Sequence, residues 1–166
     1  MQPPVYPWNL EQLLRGRPTV GGMLDLCEEN YRLIGRLSPG LQEMRGRHLS
    51  CLDYGMDLHL EVLAQSRYTS VIHITYYFAH ADRSVPDPDA TLRVYHDAGQ
   101  AEVIDLRQSA LPFGRAYTYP ALEQKWRLNL FLSKWLSYCV QQGHCFLPQE
   151  PERRRRAPST LLLSCP

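Results

Sequence analysis

The stretch YTSVIHITYYFA at residues 68–79 limits the fold more than any other part of the chain. It is dense in β-branched and aromatic residues, which suit a pleated surface, and it contains no glycine or proline to interrupt a strand. Just before it, DLHLEVLAQ at 57–65 alternates, with Leu58, Leu60 and Val62 on one side and His59 and Glu61 on the other. Two further strand-like runs follow, TLRVYHD at 91–97 and QAEVIDL at 100–106. Short connections between runs of this kind predict an antiparallel meander of about four strands, with one apolar face. A further short strand is possible around Leu49 to Tyr54.

Helical spacing flanks this β region. Met23, Leu26, Cys27, Asn30, Tyr31, Ile34 and Leu37 fall on one side of a helix that Ser38-Pro39-Gly40 stops. A longer helix is expected from about Ala121 to Gln142, with Leu122, Trp126, Asn129, Leu132, Leu136 and Cys139 on one side and Gly143 at its end. The predicted class is therefore α+β: an antiparallel β-meander with an N-terminal and a long C-terminal helix packed on one face. Residues 1–21 read as an N-terminal extension, 22–147 as a single domain, and 148–166, with arginines at 153–156, as a disordered Arg- and Pro-rich tail.

Two connections carry specific expectations. HADRSVPDPDA at 80–90 reads as a loop because of its prolines and aspartates. Ala98-Gly99 fits a two-residue hairpin turn, since Gly accepts positive φ; that closure sets Val94 opposite Val103 and Tyr95 opposite Glu102. A turn near Gln65-Ser66-Arg67 sets Leu60 opposite Ile72 and His59 opposite His73.

Composition excludes some function classes. The formal net charge is +1, so no global field draws the chain to nucleic acid or acidic lipid. The apolar runs are too short and too polar to span a bilayer, so no membrane partner is expected. The five cysteines are odd in number and form no CxxC, and two of them lie in helical patterns, which points to a reducing cytosol. No phosphate loop, dinucleotide fingerprint, GxSxG or zinc ribbon is present, so no cofactor is expected.

The chemical candidates are polar groups of the β region. RVYHDAGQAEV at 93–103 offers His96 as a general base with Asp97 or Glu102 assisting, although adjacent strand residues point to opposite faces and turn chemistry alone explains Asp97. His59, Glu61, His73, Thr75, Arg93, Tyr95 and Glu102 could share one sheet face. Arg67 and Tyr68 sit in a turn, where an arginine can grip an anion and a ring can stack. These give a ligand-binding set of Arg67, Tyr68, Arg93 and Tyr95, with no metal set assigned.

Four segments carry a resemblance: LCEENYRLI at 26–34, SRYTS at 66–70, RVYHDAGQAEV at 93–103 and KWRLNLFLSKWLSYC at 125–139. Together they resemble the YqiB-like family, small proteobacterial proteins classed as a domain of unknown function, over roughly residues 22–147. The matching positions include Cys27, Asn30, Arg67, Tyr68, Arg93, Tyr95, His96, Asp97, Glu102, Asn129, Trp135 and Cys139. The resemblance implies a cytoplasmic bacterial protein and no particular activity. Combined with the residues themselves, it gives a non-catalytic binding or regulatory module for a protein or small anionic ligand as the leading expectation. The alternative is a metal-dependent or His-based phosphoester or nucleotide hydrolase.

Overall fold

The computed structural model describes residues 18–109 and 121–148. Helix α1 (Val20–Leu37) opens on Thr19, whose hydroxyl oxygen accepts from the Gly22 amide at 3.0 Å. It thus begins inside the segment expected to be an extension, because this cap sets the start ahead of the apolar spacing. It ends where the Ser38 amide donates to the Ile34 carbonyl and Pro39 offers no amide to continue. A short 3₁₀ turn (Leu41–Glu43) leads into the sheet.

Five strands form one antiparallel meander in the order β1 (Gly46–Ser50), β2 (Leu58–Gln65), β3 (Thr69–His80), β4 (Arg83–Tyr95) and β5 (Gln100–Arg107). The fifth strand is β1, which overlaps the short strand expected around Leu49 to Tyr54 only at Leu49 and Ser50; at five residues it is too short to show a period. Helix α2 (Ala121–Gln142) follows. The arginine run at 153–156 lies outside the described residues.

The segment expected as a loop at 80–90 is mostly strand: β3 runs to His80, and β4 restarts at Arg83. The prolines are tolerated because β5 pairs with β4 only as far as Asp89. Pro86, opposite Tyr77, lies past that point, on a stretch where a missing amide breaks no second ladder.

Both expected registers are corrected by two residues. In β2–β3, Leu60 faces Ile74 and Glu61 faces His73, because the reversal is centred on Arg67-Tyr68. In β4–β5, Tyr95 faces Gln100 and Arg93 faces Glu102, because the connection is the four residues His96–Gly99. The His96 amide leaves the hairpin and donates to the Tyr68 carbonyl at 2.8 Å, so β4 pairing stops at Tyr95. Since side chains alternate with period two, slips of two residues keep Leu60, Ile72, Val94 and Val103 on the core side and Glu61, His73, Arg93 and Glu102 on the other.

One core cluster unites alternate strand residues, among them Leu58, Leu60, Ile72, Ile74, Leu92 and Val94, with Ile34 and Leu37 of α1 and Phe131, Trp135 and Leu136 of α2. A polar joint lies within it. The Asn129 Oδ1 accepts from the Val103 amide at 3.0 Å and from Asn30 Nδ2 at 3.4 Å, while its Nδ2 donates to the Lys125 carbonyl at 2.8 Å. One fully buried carboxamide therefore links α1, α2 and the backbone of β5, and satisfies an amide of an edge strand. Beyond α2 the chain turns back: the Phe146 amide donates to the Leu37 carbonyl at 2.6 Å, and its ring is buried.

Replacing Asn129 by Leu keeps the volume but strands the Val103 amide and leaves Asn30 Nδ2 only its 3.3 Å bond to the residue 129 carbonyl. The expected loss is about 2–4 kcal/mol, since each orphaned buried group costs about 1–3 kcal/mol. Urea unfolding checks it, read as a lower midpoint with an unchanged slope.

Candidate functional site

The side chains on the other side of the sheet form rows across the strands. Arg47, Glu61, His73, Thr91 and Asp105 are register partners in turn from β1 to β5, and Arg93 and Glu102 form the next row between β4 and β5. His59, Glu61, His73, Arg93, Tyr95 and Glu102 thus share the face on which strand alternation puts them. Thr75, expected with them, is fully buried, because its hydroxyl donates to the Pro88 and Tyr76 carbonyls where the β3–β4 pairing shifts.

At one end of this face, the Tyr95 hydroxyl donates to the Glu102 carboxylate at 2.8 Å, a diagonal contact across β4 and β5. Arg93 is exposed beside them, and the Tyr95 oxygen, with Glu102 as a smaller influence, holds its guanidinium above its ordinary range. The β2–β3 turn reaches the same end, because Thr69 pairs with Tyr95 and the Tyr68 carbonyl accepts from the His96 amide. In that turn the Arg67 guanidinium lies 5.0 Å from the centre of the half-exposed Tyr68 ring. The turn that carries Arg67 and Tyr68 therefore lies at the same end of the sheet as Arg93, Tyr95 and Glu102.

Farther along the face, Arg47, Glu61, His59, His73 and Tyr77 border a cleft of about 210 Å³. Its groups are paired: His73 with Asp89, Arg47 with Glu61 at 3.2 Å, and His59 edge-on to the Tyr77 ring at 4.8 Å. Among the described residues, no three His, Cys, Asp or Glu side chains are arranged to hold a metal ion.

His96 and Asp97 lie apart from this group. Asp97 is exposed in the turn. The His96 ring turns to the α1 side, where its Nε2 meets the Ser70 hydroxyl at 2.7 Å. Arg45 carries only donors and the Leu41 carbonyl only accepts, so Gln65 presents its oxygen to Arg45 and its nitrogen to Leu41 and Ser70. Ser70 thus accepts from Gln65 and shares a second hydrogen bond with His96 Nε2. Burial pushes the His96 pKa below its ordinary value, with Asp97 opposing more weakly. His96 and Glu102 are therefore not brought to a common point.

Reading the sequence missed His144. Its Nδ1 lies 3.0 Å from Ser50 Oγ, its ring centre is 5.7 Å from that of Tyr76, and burial depresses its pKa against smaller opposing effects of Ser50 and Asp57. The buried Phe146, two residues on, is the signal that this segment returns to the core. Cys27 and Cys139 are buried free thiols, and burial pushes Cys139 up to about 12.

For His96 and His144 the folded pKa is below the unfolded value near 6.5, so the unfolded chain takes up protons first. Their contribution is complete above about pH 6.5 and is lost as pH falls towards the folded values. Thermal unfolding from pH 7.5 to 5 should show a falling midpoint, with a shallower fall in a His96→Gln, His144→Gln variant. A midpoint that rises on acidification would contradict the assignment.

The comparisons with known proteins agree with this picture of a fold without a named chemistry. The uncharacterized protein YqiB of Escherichia coli strain K12 is 32% identical over 139 residues, covering 81% of this chain and 97% of that protein. YqiB of the O157:H7 strain gives the same values. No solved structure matches the chain. The model of the family described as protein of unknown function (DUF1249) matches residues 33–145. By both criteria the chain belongs to this YqiB-like family of unknown function.

Proposed function

We propose that the protein is a non-catalytic binding or regulatory module of the cytoplasm, which recognises a protein or small anionic ligand through Arg67, Tyr68, Arg93 and Tyr95. What supports the reading is that the β2–β3 turn, with Arg67 and Tyr68, is tied by its backbone to the same end of the sheet as Arg93 and Tyr95. Arg93 is exposed beside Tyr95, and Arg67 is stacked on Tyr68, which limits the freedom each guanidinium loses on binding. Arginine and tyrosine are also the residues that most often dominate recognition surfaces. In this reading α1 and α2 cover the opposite face and leave this one free, as the membership of the core cluster supports. Four unpaired thiols among the described residues support a reducing compartment.

The hydrolase alternative draws less from the geometry. His96 Nε2 is engaged by the fully buried Ser70, and Glu102 is engaged by Tyr95.

The test is affinity capture from native lysate with the intact chain, an Arg67→Ala, Tyr95→Ala variant, and Thr91→Ala on the same face as a control. Partners held by the intact chain and by Thr91→Ala should be depleted about tenfold or more with the double variant, the effect of losing one or two hot-spot side chains. Identical partner lists would reject the surface.

A further inference from the structure

A second site, on the opposite side of the sheet from the proposed recognition surface, follows from a glycine and a proline four residues apart. Gly35 and Pro39 both border a cleft of about 170 Å³ between the C-terminal end of α1, the 3₁₀ turn and the end of β4. In a continuing helix, the Gly35 carbonyl would accept from the amide of residue 39, but Pro39 has none. The Ser38 amide, one residue earlier, is already committed to Ile34 at 2.7 Å. Among the described residues no other donor reaches the Gly35 carbonyl. The cleft therefore contains an open acceptor at the helix end that carries partial negative charge.

Its other walls agree in sign. The one ionised side chain that borders the cleft is Glu43. His96, also on the wall, meets the Ser70 hydroxyl through Nε2, and burial lowers its pKa, which disfavours the imidazolium. The guanidinium of the same turn, Arg45, is not part of the wall and is spent on the Gln42 and Met44 carbonyls and on Gln65. Tyr31 adds a partly exposed aromatic wall, with the buried Ile34 and Val94 behind the lining. Gly35 keeps the cleft open: a Cβ built there meets nothing within 4 Å. A helical glycine is costly relative to alanine, so an open space at that position is a departure from what helix stability favours.

We propose that this cleft binds a single cationic donor group, an ammonium or guanidinium, with its stem against the Tyr31 ring. The size fits one such group: a cavity of about 150 Å³ holds benzene, whereas sites for drug-sized ligands start at about 300 Å³. The shared chemistry is that of a lysine or arginine side chain of a partner chain and of a free alkylamine.

Amide NMR titration of the full chain separates these sources. The probes are N-acetyl-arginine amide, N-acetyl-lysine amide and putrescine, with N-acetyl-norleucine amide as the uncharged control. The cationic probes should shift the Gly35, Gly40, Glu43 and His96 amides saturably, and the norleucine control should not. Tighter binding of the capped residues than of putrescine assigns the site to a partner's side chain; the reverse assigns it to a free amine. Gly35→Leu fills the space and improves helix propensity, so it should raise the thermal midpoint while weakening cation binding on the order of tenfold or more. Glu43→Gln should weaken it about two- to fivefold at low salt. Arg67→Ala with Tyr95→Ala should leave it unchanged, which separates this site from the recognition surface. Equal binding of the norleucine probe, unchanged binding by Gly35→Leu, or no saturable shift with any cation would overturn the proposal.

Discussion

Side-chain alternation in β3 is the constraint on which the rest of the molecule depends. Ser70, Ile72, Ile74 and Tyr76 are buried on one side, and Val71, His73 and Tyr77 are on the other. As the central strand, β3 is hydrogen-bonded to β2 and β4 along most of its length, so its alternation fixes theirs. A slip of one residue would move Ile72 and Ile74 into solvent and His73 into the core. The same rule sorts Arg93 and Tyr95 away from Leu92 and Val94, and so creates a polar surface without any dedicated motif.

Much of this was legible in the sequence because it depends on periods. The strand faces, the two helices and the burial of Leu132, Leu136 and Cys139 follow from repeats of two and 3.6 residues. What was not legible depends on contacts between distant segments. The length of the β4–β5 turn is set by the His96 amide reaching Tyr68, which no local pattern announces. The prolines at 86 and 88 look like loop residues until it is known that β5 stops short of them. Asn129 was placed on the apolar side of its helix from spacing, but its partners Asn30 and Val103 come from two other elements.

The candidate residues divide for the same reason. Within 93–103, alternation sends Arg93, Tyr95 and Glu102 to the open face, and the turn with Arg67 and Tyr68 reaches the same end of the sheet. His96 falls just past the last strand pair, so it is free to turn to α1, where Ser70 and the Gly35–Pro39 cleft lie. One short stretch thus contributes to two surfaces of different character: cationic and aromatic on the sheet, acceptor-rich at the helix end.

The most direct test of this one-sided architecture compares neighbours on β4. Leu92→Ala and Arg93→Ala alter adjacent residues of the same strand, one fully buried and one exposed. Chemical unfolding should show a loss of about 2–5 kcal/mol for Leu92→Ala and about 0.5 kcal/mol or less for Arg93→Ala. Equal losses at the two positions, or the larger loss at Arg93, would contradict the division of the sheet into a packed face and an open one.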